Sequence, residues 1–266
     1  VLTSLAVVCL IFFGTNLLYY STREMLMSHV YSFSLFAAFI FCLPSWLENP
    51  NWRKSIVVGL VMAFIFLIRP TNIIIALLLV FWEVYDWTAL KARLGMLLRA
   101  WPQLLLFGLI AIVVMIPQML YWKTAFGGYL TWSYGNEGFK YWANPQILQV
   151  LFSPQNGLFA YTPVMLFALV GIVVGWRKRL ISGPGTALIF LLATYTFASW
   201  WAWWFGGAFG HRCYVEFYAL LAIPLGLIVE KVAKSPAKWL RFAGIALFFI
   251  FIYVNVKLVA IYDPPW

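Results

Sequence analysis

The chain has 266 residues, of which 64% are hydrophobic and 10% are charged, and its mean hydropathy is +0.90. Soluble domains average about 25% charged residues, so this composition excludes a soluble fold and predicts an integral membrane protein. The formal charge of +10 does not indicate a nucleic-acid partner, because the cations lie in short connections between apolar runs, where they orient a membrane protein. No polar stretch is long enough to fold separately, so we expect one transmembrane domain over residues 1–266.

Nine apolar runs predict an all-α, polytopic membrane protein with about nine transmembrane helices and one longer outer loop. The runs cover residues 1–20, 25–47, 54–69, 71–87, 101–122, 157–176, 185–204, 213–230 and 239–258. The third and fourth runs meet at Arg69-Pro70, so one or both are expected to tilt strongly or to cross only in part. Val1 begins inside an apolar run, without an initiator methionine or a cleavage site, and we therefore expect a fragment that lacks its N-terminal spans.

The basic residues are distributed unevenly between the connections. Even-numbered connections carry most of the 18 lysines and arginines, in groups such as 177–179 and 231–241, whereas odd-numbered connections carry few. The positive-inside rule then puts the even connections in the cytoplasm and the odd connections outside. An amphipathic piece at 88–100 is expected along the cytoplasmic surface.

The outer connections hold the residues that are unusual in a membrane protein. They are 21–24 with His29 soon after, 68–72, the long segment 123–156, and the aromatic corner 199–216. Ionisable groups near lipid are costly and are usually functional, so we expect these four clusters to converge on one outer face.

The segment 123–156 is the only long connection, and aromatic residues are spread through it. A loop of this length is usually functional or disordered, and its aromatic content argues against disorder. We expect a short amphipathic helix near 145–152 that lies on the outer surface and covers a cavity.

Three arginines at the outer ends of apolar runs are candidate phosphate ligands: Arg23, Arg69 and Arg212. The guanidinium fork suits a phosphate or pyrophosphate, and the alternative for each is a cation that snorkels to the interface. Arg69 ends its run directly before a helix-stopping proline, on the side where cations are disfavoured, which favours the phosphate role.

The candidate acids, bases or metal ligands are Glu24, His29 and Glu216. Glu24 and His29 lie about 140° apart on an ideal helix, so their spacing does not imply a shared ligand face. Alternatively, His29 is a hydrogen-bonded packing residue, and Glu216 pairs with Arg212 four residues earlier on a helix. No HExxH, CxxC, GxSxG or P-loop motif occurs, so zinc proteases, redox pairs, serine hydrolases and P-loop ATPases have no support.

Four phrases together resemble bacterial polytopic glycosyltransferases of the C-type superfamily. They lie at 23–33, 67–72, 151–159 with 161–163, and 203–207 with 209–212. In these phrases the chain is similar to the protein O-mannosyltransferases and the lipid A aminoarabinose transferases. The resemblance implies an enzyme of the bacterial cytoplasmic membrane that takes a sugar from a polyprenyl-phosphate carrier. It transfers that sugar, on the periplasmic or extracellular face, to a lipid, glycan or protein acceptor.

The resemblance also implies roles for individual residues, with arginines on the phosphate, aromatic rings on the sugar and glycines that let the corner approach the donor. The substrate-binding residues would be Arg69, Arg212, His211, Tyr134, Trp203, Trp204, Gly206, Gly207 and Asn156. In the family an acidic catalytic residue lies in the first outer loop. This chain shows no such loop and Glu24 does not match its motif, so the base is expected in the missing N-terminal part. A divalent metal is left open, with His29, His211 and Glu216 as possible ligands.

A carrier or flippase for lipid-linked sugars, or a non-catalytic membrane component, is the alternative function. A carrier should place ionisable groups near the bilayer midplane. Here the middle of each run is nearly free of charge, and the polar groups gather at one end. This pattern favours an outward-facing enzyme, while transfer of one sugar and of a whole glycan both stay open.

Overall fold

The computed structural model of the chain describes residues 1–132, 134–180 and 182–262. These residues form helices and loops without a strand, so the predicted all-α fold class is confirmed. The α-helices are α1 Leu2–Phe13, α2 Leu17–Thr22, α3 Ser28–Glu48, α4 Trp52–Ile68, α5 Leu78–Phe81, α6 Trp87–Arg99, α7 Trp101–Phe126, α8 Ile147–Phe152, α9 Leu158–Tyr161, α10 Met165–Arg177, α11 Gly183–Ser199, α12 Tyr218–Ala233 and α13 Lys238–Ile261. Two 3-10 helices cover Pro70–Leu77 and Arg212–Tyr214.

Three helices within the described ranges, α3, α7 and α13, are long and apolar enough to cross a membrane. A total of about nine spans is not confirmed, because the other predicted runs form shorter helices. Helices α4 and α11 have 17 residues each and α12 has 16. These lengths fall just below the roughly 20 residues that an α-helix needs to cross the hydrocarbon core.

Two of the predicted runs are not continuous α-helices. The first run breaks at Gly14, so that α1 ends at Phe13 and α2 begins at Leu17. The turn requires a glycine, because an added Cβ at residue 14 would lie 2.6 Å from the Leu10 carbonyl oxygen. The fourth run forms the 3-10 helix Pro70–Leu77 and then the single turn α5. Proline supplies no N–H at its start, and the three β-branched isoleucines at 73–75 favour an α-helix less than leucine does.

Two helices predicted outside the spans are confirmed. The amphipathic piece at 88–100 forms α6, whose first turn is capped by Asp86, which accepts a hydrogen bond of 2.9 Å from the Ala89 N–H. The piece near 145–152 forms α8. Helix α7 extends further than predicted and ends on Gly127, which has a φ of 80°. The long loop therefore begins at residue 127 rather than at 123.

Helix α12 lies at the centre of the bundle and packs against α1, α3, α10 and α13. Its contact with α10 is a direct approach of two backbones, since a Cβ on Gly171 would lie 2.0 Å from the Pro224 carbonyl oxygen. Helix α4 packs between α3 and α7 on the other side of α3. The starts of α3 and α12 and the ends of α4 and α11 consequently meet at one end of the bundle, where the predicted outer clusters lie.

We expect Gly171→Ala to lower the melting temperature of the detergent-solubilised protein, because the new methyl group would push α10 away from α12 at Pro224. Overpacking of this kind costs about 1–3 kcal/mol. Gly108→Ala on α7 is the matched control, since no atom lies within 4 Å of its added Cβ. Equal melting temperatures for the two variants would contradict the close α10–α12 contact.

Candidate functional site

A completely buried carboxylate lies at the end of the bundle where the polar clusters meet. The Glu216 side chain has 0% exposure, and its two oxygens bind partners from two other elements. Glu216 Oε2 lies 2.9 Å from His29 Nδ1, and Oε1 lies 3.3 Å from Arg69 Nη1. The structure therefore joins three of the predicted site residues in one cluster, from α3, from the end of α4 and from the corner.

The hydrogen bonds within this cluster assign the tautomer of His29. Nδ1 carries the proton and donates it to Glu216, because two acceptors cannot share the 2.9 Å contact. His29 Nε2 then accepts from Arg69 Nη1 at 3.4 Å, while the same Nη1 lies 3.0 Å from Nδ1. With a neutral imidazole the cluster holds one positive and one negative charge, which is the condition under which a buried carboxylate is tolerated.

Arg69 reaches the cluster because α4 ends at the residue before it, Ile68. Arg69 caps the C-terminus of α4 in an extended conformation with φ of −149°, and Pro70 begins the 3-10 helix that follows. The second terminal nitrogen of Arg69, Nη2, lies 3.3 Å from Cys213 Sγ, so both terminal nitrogens of the guanidinium contact protein groups. The alternative of an intrahelical pair between Arg212 and Glu216 is not seen in the described residues, since Arg212–Tyr214 forms a 3-10 turn and Glu216 binds His29 and Arg69 instead.

His211 is buried in the aromatic corner, 1% exposed, with its ring between those of Phe197, Phe205 and Tyr214. Its Nε2–H donates a hydrogen bond of 3.1 Å to the Trp203 carbonyl oxygen. Its Nδ1 is buried and has no hydrogen-bond partner among the described residues. Burial lowers the pKa of His211 to about 3, so the imidazole is neutral at physiological pH.

Asn156 holds the corner in shape. Its side-chain amide donates to the Trp204 carbonyl at 2.9 Å and to the Gly206 carbonyl at 3.0 Å. Asn156 itself has φ of 64°, and Gly206 has φ of 76°, both in the left-handed region where asparagine and glycine are tolerated best. Gly206 is exposed and has open space beside its Cα, and Gly207 follows it.

The long loop docks on the corner through its backbone. Trp201 N–H donates to the Gly138 carbonyl (3.0 Å), and Tyr141 N–H donates to the Ser199 carbonyl (3.0 Å). The Tyr134 ring packs edge-on against Trp200 with centroids 5.4 Å apart. The loop thus borders the same site as the arginines and the corner.

A buried network that the sequence analysis missed joins the start of α2 and the start of α12 to the corner. Asn16 donates to the Phe209 carbonyl at 3.0 Å and accepts a 2.7 Å hydrogen bond from the Tyr218 hydroxyl. Asn16 is fully buried and lies inside the apolar run 1–20, and a polar amide at that place was the available signal for a structural role. Cys213 was likewise missed as the neighbour of Arg69, and spacing alone carried no signal for that contact.

Two charged side chains at the site keep binding capacity. Arg212 is half-buried, and its guanidinium forms no hydrogen bond or ion pair with any residue that the structure describes. Glu24 is half-buried, with Oε1 accepting a 2.8 Å hydrogen bond from the Tyr19 hydroxyl and Oε2 buried without a partner in the described chain. Glu24 lies near the corner, because its partner Tyr19 packs against Phe209 with ring centroids 5.2 Å apart.

Two further predicted residues, Trp203 and Trp204, form a partly exposed aromatic surface in the corner, which we call the aromatic wall. The Trp203 and Trp204 rings pack edge to face with centroids 5.4 Å apart, and both are partly exposed. Glu24 lies in the turn between α2 and α3 and binds Tyr19, whereas His29 is on α3 and binds Glu216, so the two share no helix. Across residues 1–132, 134–180 and 182–262, no group of three or more His, Cys, Asp or Glu side chains is placed to hold a metal ion.

We expect Glu216→Gln to destabilise the protein strongly, because it leaves Arg69 buried without its counter-charge. Removing one partner of a buried pair costs about 3–5 kcal/mol, and thermal unfolding in detergent measures the loss. Glu230→Gln is the matched control, because Glu230 pairs with Lys234 on the exposed surface and should leave the melting temperature unchanged. Similar melting temperatures for the two variants would contradict the structural role of Glu216.

His211 should make stability depend on pH. Its pKa is about 3 in the folded protein and about 6.5 when unfolded, so the unfolded chain binds more protons between these values. Stability should fall as the pH drops below about 6.5, by up to about 1.4 kcal/mol per pH unit. Melting temperatures of the wild type and of His211→Asn from pH 7.5 to 5 test this, since the variant should lose part of the dependence. Parallel curves would show that His211 is not buried in its neutral form.

No protein-family model matches this chain, and neither a curated protein nor a solved structure does. Its function therefore has to be inferred from its own residues and their geometry.

Proposed function

We propose that the chain is a membrane glycosyltransferase that moves a sugar from a polyprenyl-phosphate carrier to a hydroxyl group of an acceptor. The observation that carries the proposal is that Arg212 forms no hydrogen bond or ion pair with a described residue, at the same end of the bundle as the half-buried Glu24 carboxylate and the partly exposed Trp203 and Trp204 rings. Transfer of a sugar from a phosphate carrier needs a cation for the leaving phosphate and a base for the acceptor hydroxyl. The resemblance of four sequence phrases to the C-type glycosyltransferases supports the same activity.

The proposed setting is the bacterial cytoplasmic membrane, with the site on its periplasmic or extracellular face. The three long apolar helices support membrane insertion. In the proposed topology nine segments cross the bilayer, and the helices of 16 or 17 residues cross where the protein thins it. The concentration of lysine and arginine in the even connections supports the orientation.

The donor would bind with its phosphate on Arg212. Arg69 is less suited to this role, because Glu216, His29 and Cys213 already contact its terminal nitrogens. Its role in the proposal is to hold Glu216, and through it the corner that carries Arg212. The sugar would lie against the partly exposed rings of Trp203 and Trp204 and of Tyr134, which offer flat apolar faces.

The transfer step would use Glu24 as the base. The acceptor hydroxyl oxygen forms a bond to C1 of the sugar while its proton passes to the half-buried carboxylate of Glu24. The bond between C1 and the phosphate oxygen breaks, and its electron pair leaves with the polyprenyl phosphate, whose new charge Arg212 stabilises. His29 does not serve as the base, because its Nδ1 proton is held by Glu216 and its Nε2 faces Arg69.

A carrier that moves lipid-linked sugars between leaflets is the competing function. It would place its binding groups near the bilayer midplane, where both faces have access in turn. The buried ion pair, Arg212 and Glu24 all lie at one end of the bundle, beside the corner. That position supports transfer over transport.

Membranes from cells that produce the chain, supplied with a panel of radiolabelled polyprenyl-phosphate hexoses, test the proposal. We expect release of polyprenyl phosphate coupled to labelling of an acceptor. Glu24→Gln should lower the turnover rate by about 10²–10⁴-fold with little change in donor KM. Arg212→Gln should raise the donor KM by about tenfold or more, as expected for a lost hydrogen bond to a charged group.

Two matched variants control for the loss of charge. Glu48→Gln and Arg53→Gln remove exposed charges at the ends of α3 and α4 that lie away from the site and should leave both parameters unchanged. A normal donor KM in Arg212→Gln would make the phosphate assignment wrong. Movement of the intact donor between leaflets, without release of polyprenyl phosphate, would identify a carrier.

A further inference from the structure

A second concave surface lies away from the candidate site, between α1, α10, α12 and α13. Its volume is about 450 Å³, and nearly all of its lining is apolar, from residues such as Ala6, Phe167, Ile228 and Ile245. Arg241, at the start of α13, is the one charged residue in that lining. We call this surface the inner groove.

The inner groove has the length of one membrane leaflet. Its lining on α13 runs from Arg241 to Phe251, which is about 15 Å along a helix that rises 1.5 Å per residue. That distance is half of a hydrocarbon core of about 30 Å. The buried side chains of Asn16, Thr162 and Tyr218 lie between the groove and the candidate site. The Tyr218 hydroxyl is within hydrogen-bonding distance of both Asn16 and Thr162.

The mouth of the inner groove is positively charged. Arg241 is exposed and forms no ion pair within the described ranges of the chain. Lys231, Lys234 and Lys238 lie close to it in sequence, and Glu230, the nearest acid, already pairs with Lys234. Clusters of this kind beside a membrane helix attract anionic lipid headgroups, most strongly at the cytoplasmic leaflet.

We propose that the inner groove binds one anionic phospholipid, with an acyl chain along α12 and α13 and the phosphate on Arg241. The acyl chain packs against the apolar lining of the groove, and both surfaces are buried by this contact. Arg241, the charged residue of the lining, favours an anionic headgroup. The site is independent of the sugar-transfer proposal, because it shares no residue with the candidate functional site.

Nanodiscs containing equal amounts of phosphatidylglycerol and phosphatidylcholine provide the test. After mild detergent extraction, native mass spectrometry should find one phosphatidylglycerol retained per chain. Arg241→Gln should lower its retention at least fivefold, and Ala6→Phe should lower retention of both lipids by filling the groove. Arg241 is exposed, so its variant keeps the test informative even where Ala6→Phe fails to fold.

Matched controls separate this site from general attraction to a basic surface. Lys238→Gln removes a neighbouring cation that does not line the groove, and Ile112→Phe adds bulk on the exposed face of α7. Lys238→Gln should lower retention of phosphatidylglycerol less than Arg241→Gln does, and Ile112→Phe should retain it like the wild type. Equal losses in Lys238→Gln and Arg241→Gln, or unchanged retention in Arg241→Gln, would overturn the proposal. A dimer that Ala6→Phe dissociates would assign the groove to a second copy of the chain instead.

Discussion

The need to neutralise one buried carboxylate organises the end of the bundle where the polar residues meet. Glu216 has no exposure to solvent, so its charge has to be balanced within the protein. Arg69, which follows the end of α4 and precedes Pro70, supplies the opposite charge. His29, at the start of α3, donates a hydrogen bond to the carboxylate. The start of α3 and the end of α4 are thereby both fixed relative to the corner.

This arrangement divides the ionisable groups into two kinds. Arg69, His29 and Glu216 contact one another and have little capacity for a ligand. Arg212 and Glu24 lie nearby with binding capacity that no described residue uses. A site benefits from both kinds, because groups that contact a ligand are held accurately only when their supports have fixed partners.

Local patterns were sufficient to predict the all-α class, α6, α8 and the convergence of the outer clusters, because each depends on composition, periodicity or charge over short distances. They were not sufficient to predict the partner of Glu216. A spacing of four favoured Arg212, whereas the ion pair joins residues 147 positions apart, and only tertiary packing decides between them. The same limit applies to Asn156, whose amide braces carbonyls that lie 48 and 50 positions further along the chain.

The docking of the long loop has a consequence for how the site can diversify. Two of the hydrogen bonds that hold the loop to the corner join main-chain groups only, those of Gly138, Tyr141, Ser199 and Trp201. Main-chain groups are the same in every residue except proline, so substitutions of the loop's outward side chains leave this attachment intact. The outward side chains of the loop can therefore change during evolution, and with them the surface that an incoming acceptor contacts. The charged groups of the site keep their geometry.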